Sequence, residues 1–123
     1  MSNWFLRIAV LYIIVGVALG IYMGASGDHS MHPVHAHLNL LGWVAMSLFG
    51  LFYRLVPAAA ESRLAKVHFW IYVPAHFAQM LLLTLLYRGN GAVEPVLGLC
   101  SMLVGVAFVC FAVVVWQHTA KSA

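Results

Sequence analysis

Charge is what this sequence has least of, with six Lys and Arg and three Asp and Glu among 123 residues. A soluble domain carries about a quarter of its residues as charges, so an ordinary water-surrounded fold is excluded. Cysteine is nearly absent too. Cys100 and Cys110 share one apolar run, and ten residues of helix separate them by ~15 Å, too far for a disulfide. Without a C-x-x-C-H motif, covalent c-type haem attachment is not indicated. Missing as well are a hydrolytic triad, a phosphate-binding glycine loop and a pair of facing carboxylates. The net charge of +3 comes from scattered basic residues at segment ends, which is no nucleic-acid footprint.

What is there is hydrocarbon, at 64% hydrophobic residues. Four apolar runs extend approximately from Ile8 to Gly24, Val34 to Pro57, Val67 to Tyr87 and Pro95 to Trp116. Each is close to the ~20 residues that cross a bilayer as a helix. The runs are continuous rather than alternating, which favours helices over a barrel. The expected fold is therefore all-α, a single integral membrane four-helix bundle covering residues 1–123. The first run could mimic a signal peptide, but "YMGASGDHS" offers only a weak cleavage site, so it is read as a helix.

Basic residues predict the orientation. Arg7, Arg54, Arg63, Lys66 and Lys121 fall on one side, against Arg88 with Asp28 and Glu94 on the other. The positive-inside rule then places both termini in the cytoplasm, in a bacterial-type inner (plasma) membrane. Trp4, Tyr22, Trp70, Tyr87 and Trp116 fall at the expected interfaces, as anchoring aromatics do. Gly16, Gly20 and Gly24 repeat every fourth residue and offer a face for close helix approach. The partner helix would lie in the same chain or in a second copy, so a homo-oligomer is expected beside the lipid partner.

Seven histidines stand out against this background. His29, His32 and His35 belong to the outer loop or its junction, and His37 to the outer end of the second helix. His76 falls near the middle of the third helix, and His68 and His118 near the cytoplasmic ends, where they read as interfacial polar residues. In "MHPVHAH", Pro33 suits a turn or the first position of a helix. His35 and His37 point about 200° apart on a regular helix, so only an extended junction would let His32, His35 and His37 share one metal. Imidazole with the Met31 thioether suits copper, and imidazole alone also suits zinc. Met46, Met80 and Met102 read as packing.

The run "HLNLLGWVAMSLFGLFYRLVP", His37 to Pro57, is more specific. It resembles the second transmembrane helix of haem–copper oxidase subunit I, most closely the nitric oxide reductase branch, where a similar H-x-N-L-L helix ends in an aromatic, a Leu and a Pro. The flanking "GIYMGASGDHSMHPVHAH" and "HFWIY" also look like small four-helix proteins assigned to that superfamily. The resemblance covers roughly the first three helices, and its sharp part is one helix. It implies that His37 is an axial ligand of a low-spin haem b near the outer face, working in electron transfer or haem handling with a respiratory partner. The family's later His-Pro, His-His and closing histidine motifs have no counterpart after residue 57. A binuclear oxygen- or nitric-oxide-reducing centre is not implied, and no complete enzyme site is visible.

His76, with Gln79 on the same helix, is the natural second ligand or else a hydrogen-bonded core residue. Depth counts against the pair. At ~1.5 Å per residue, His37 falls about 3–5 Å and His76 about 16 Å below the outer ends of their helices, and a tilt of about 20° corrects only part of that. Pro74 frees the Trp70 carbonyl nearby, making room for a ligand or only repacking the bundle. Two alternatives to haem stay open: an outer-face copper or zinc protein using His32, His35 and His37, and a cofactor-free accessory subunit.

Overall fold

The computed structural model describes residues 1–119, and all regular structure in that range is helical. Lys121, counted above in the charge asymmetry, lies outside the described residues. Helix α1 spans Ser2–Ser26 and stops where Gly27 takes a left-handed φ of 72°, a conformation open to glycine. The second crossing begins with a short helix α2, His32–His37, with Pro33 in its first turn. It widens into a π-helical segment over Leu38–Ala45 and returns to α-helix in α3, Met46–Leu55. Helix α4, Pro57–Glu61, fills the connection read from the sequence as a loop. Helix α5 spans Arg63–Tyr87, and α6 spans Glu94–Thr119 after a 3₁₀ turn at Gly91–Val93.

Four helical stretches are long and apolar enough to cross a membrane: Ser2–Ser26, His32–Leu55, Arg63–Tyr87 and Gly91–Thr119. All run past the apolar windows at one or both ends, except that the second stops at Leu55 rather than Pro57. Backbone hydrogen bonding continues until a capping group intervenes. At the start of α5 that group is Ser62, whose Oγ accepts from the Ala65 N–H at 3.1 Å. The outward faces suit lipid, with Leu55 80%, Trp116 79% and Trp70 73% exposed.

Two hairpins make the bundle. Helix α1 lies along the second crossing, and α5 lies along α6. Apolar tails solvate a lone helix as well as a neighbouring helix does, so close packing and interhelical hydrogen bonds must join the pairs. The main cluster gathers Phe5, Phe49, Tyr53, Tyr72 and Phe111 toward the end carrying the N-terminus. A smaller one joins Met23, Met31, Val34, Leu38 and Met80 at the opposite end. Met102, by contrast, is exposed.

The glycine stripe of α1 faces its own chain. A Cβ on Gly16 would collide with the Asn39 side chain, and one on Gly20 would sit 2.9 Å from His35 Cε1. Gly24 has nothing within 4 Å. On the facing crossing, Gly42 lies under Tyr12, whose Cγ would be 2.5 Å from an added Cβ. The two backbones meet through these missing side chains.

Candidate functional site

Contacts between the second crossing and α5 fix their relative height. The Tyr72 hydroxyl donates to the Leu41 carbonyl at 2.9 Å, while Val34 and Leu38 share a cluster with Met80. Interpolating between these contacts sets His37 level with the middle of α5, where His76 lies. The depth mismatch expected from the sequence is thus overturned. Its source was the assumption of flush helix ends, whereas α5 runs seven residues beyond Met80 to Tyr87.

Both rings have a fixed tautomer. His37 Nδ1–H donates to the Pro33 carbonyl at 2.7 Å, and that oxygen can only accept, so Nε2 carries the lone pair. For His76 the assignment passes through three groups. The Leu97 carbonyl accepts from Ser101 Oγ at 2.9 Å, so Ser101 in turn accepts from Gln79 Nε2 at 3.0 Å. Gln79 therefore turns its Oε1 to His76, whose Nδ1–H donates at 3.0 Å. His76 is fully buried, and its Nε2 has no partner. A buried acceptor left bare costs about 1–3 kcal/mol, and its lone pair is free to accept a proton donor or a metal. Metal-bound imidazoles have the same outer arrangement, with the far nitrogen donating to a carbonyl or carboxylate.

His35 is committed elsewhere. Its Nδ1–H donates to the Gly16 carbonyl at 2.9 Å, and Asn39 Nδ2 approaches its Nε2 at 3.2 Å. It ties α1 to the second crossing, which explains the bare Gly20 beneath it. His32 stands beside it, with ring centroids 6.5 Å apart, and is exposed. The junction is helical from His32 onward, not extended, so His35 and His37 diverge. The structure thus does not bring His32, His35 and His37 together. No group of three or more His, Cys, Asp or Glu among the described residues is arranged for a metal ion. In the adjoining loop His29 Nδ1 bonds the Gly27 carbonyl, and the Ser30 N–H and hydroxyl hold the Asp28 carboxyl below its usual range.

His68 departs from its expected interfacial place. It is fully buried in an aromatic box of Phe5, Phe49, Tyr72 and Phe111. Its Nδ1 shares a 2.9 Å hydrogen bond with the Tyr53 hydroxyl, and its Nε2 is bare. The i, i+4, i+8 spacing of His68, Tyr72 and His76 was the available signal, since it sets all three on one face of α5. His118, at the same end, bonds back to the Val114 carbonyl at 2.8 Å.

Three further features had no signal in the sequence. The π-helical segment starts immediately after His37, and such widened turns often accompany functional sites. Tyr12 packs its ring 5.0 Å from that of His76. On the other side of Tyr12, an apolar groove of about 720 Å³ opens between α1 and α5. Leu38 lies along it, and Arg88 is the charged side chain at its far end.

No protein-family model matches the chain, and no curated protein or solved structure shows detectable similarity to it.

Proposed function

We propose that this is a membrane b-type haem protein, in which His37 and His76 would hold the haem iron. The observation that carries the reading is the pair of imidazoles on neighbouring helices, each with Nδ1–H bound to a protein acceptor, and with the buried His76 Nε2 bare. Two imidazoles are a donor set that suits haem iron. A haem bound there would supply a one-electron couple, suiting electron transfer or haem handling. The chain's own residues do the rest. Pro33 and Gln79 hold the rings in the ligating tautomer and raise their basicity. The apolar surroundings exclude water, and the Gln79–Ser101–Leu97 relay keeps His76 from rotating.

The resemblance of the His37 helix to oxidase subunit I supports the same reading. So does the presence of a buried imidazole within a bilayer crossing, which is expensive unless used. A haem held between His37 and His76 would lie level with the middle of α5, and a respiratory partner would exchange electrons with it. Outer-face copper or zinc binding has weaker support, because His35 is engaged by Gly16 and Asn39.

A visible spectrum of purified protein, oxidised and reduced, tests the proposal alongside metal analysis of the same sample. Sharp reduced bands lost in both His37→Ala and His76→Ala are expected. Colourless protein from haem-replete cells, or bands surviving both substitutions, would overturn it.

A further inference from the structure

We infer that the groove between α1 and α5 seats one acyl chain of an anionic phospholipid, whose phosphate meets Arg88. This site is separate from the histidine pair, because neither imidazole lines the groove and Tyr12 stands between it and His76. On α5 the lining forms one stripe of Trp70, Val73, Phe77, Leu81, Thr84 and Arg88, spaced three and four residues apart. Trp70 and Arg88 are separated by ~27 Å of helical rise. The groove's volume of about 720 Å³, spread over that length, gives a mean cross-section of about 27 Å². A helix about 10–12 Å across needs roughly three to four times as much. One hydrocarbon chain, about 4–5 Å wide at ordinary contact distances, fits.

Wall chemistry points the same way. A second copy of the chain would dock a helix there, and helices in lipid meet through small residues. Among the described residues, no glycine, alanine or serine lines the groove. Gly98 and Gly105, which do have open space in front of them, belong to α6. Charge then selects the headgroup. Arg88 caps α5 directly after the interfacial Tyr87, and it is the charged side chain of the lining. The Thr84 hydroxyl, one turn below, already donates to the Met80 carbonyl, so the guanidinium supplies the donors at this end. Guanidinium and phosphate pair through two parallel hydrogen bonds. In a zwitterionic lipid the headgroup's own cation competes for that phosphate, which favours a net negative headgroup. One leaflet's hydrocarbon is ~15 Å deep, so a tail hung from Arg88 ends level with Phe77. The site is the half of the groove from Phe77 to Arg88, with Leu81 inside it.

Native mass spectrometry tests the assignment on full-length protein released from nanodiscs of equal phosphatidylglycerol and phosphatidylcholine with matched acyl chains. One phosphatidylglycerol should stay bound per chain, favoured about fivefold, the weight of one surface cation against an anionic lipid. Arg88→Ala should erase that preference and Arg88→Lys should keep most of it. Arg54→Ala, outside the groove, should leave it unchanged. Leu81→Trp fills the slot and should release lipid of either kind. Equal retention of the two lipids by the unaltered protein, or a preference surviving Arg88→Ala, would overturn the headgroup contact. Lipid retained in full after Leu81→Trp, or a dimer that this substitution splits, would overturn the acyl seat. Reduced haem bands should be unchanged in Arg88→Ala, so failure of the lipid site and failure of the haem reading are read separately.

Discussion

Helix α5 buries two histidines on one face, eight residues apart, and their surroundings could hardly differ more. His68 sits in an aromatic box with a single tyrosine partner, and every neighbour in that box is a side chain packed for its own sake. His76 is aimed. Three successive hydrogen bonds fix its tautomer, and the Tyr12 ring beside it also lines an apolar groove. Both rings leave Nε2 bare. Burial and an orphaned nitrogen therefore do not by themselves define a site. Fixed orientation is what separates His76 from His68.

The sharpest way to break this contrast is to delete each ring in turn. His76→Ala should abolish the reduced haem bands, whereas His68→Ala should keep them at normal position and intensity. If His68→Ala alone removes the bands, the box is the site and the contrast is inverted. The next effect is on stability. His68→Ala empties a filled box and should cost about 3 kcal/mol, read as an earlier unfolding transition in detergent.

Gln79→Leu probes orientation without touching the ligand. It should lower haem affinity about 10- to 100-fold, the usual effect of removing a partner behind a ligating histidine. Tyr53→Phe, the corresponding change beside His68, should leave affinity unaltered. Haem transfer to an apo-globin acceptor measures both. The smallest effects belong to α1. Gly20→Ala pushes on His35 and should cost about 1–3 kcal/mol, while Gly24→Ala, with open space around it, should stay within about 0.5 kcal/mol. Equal losses at the two glycines would show that α1 packs differently.

The four long helices were legible because continuous apolar runs of that length favour helices able to span a bilayer, and the loops between them are short. Helix ends were less so, since Ser62 and Gly27 extend hydrogen bonding past the hydrophobic windows. His37 was picked out by its motif and His76 by its depth, but their shared height was not readable. Register between two helices depends on contacts such as Tyr72 with Leu41, which leave no periodic trace. His35 could be separated from His37 by angle alone, yet its clasp on Gly16 required knowing which helix lay opposite. His68 was placed at the interface because nearness to a helix end was weighed above its one-face spacing with Tyr72 and His76.

The widened stretch from Leu38 to Ala45 has one more implication. Each π turn accommodates roughly one residue more than an α turn, so this stretch stores slack in the chain between His37 and the well-packed α3. Removing a single residue there would let the coil tighten to ordinary pitch and take up that slack, so His37 would keep its face toward α5. The crossing would still be a continuous rod of nearly the same length, now without the widened turn behind its imidazole.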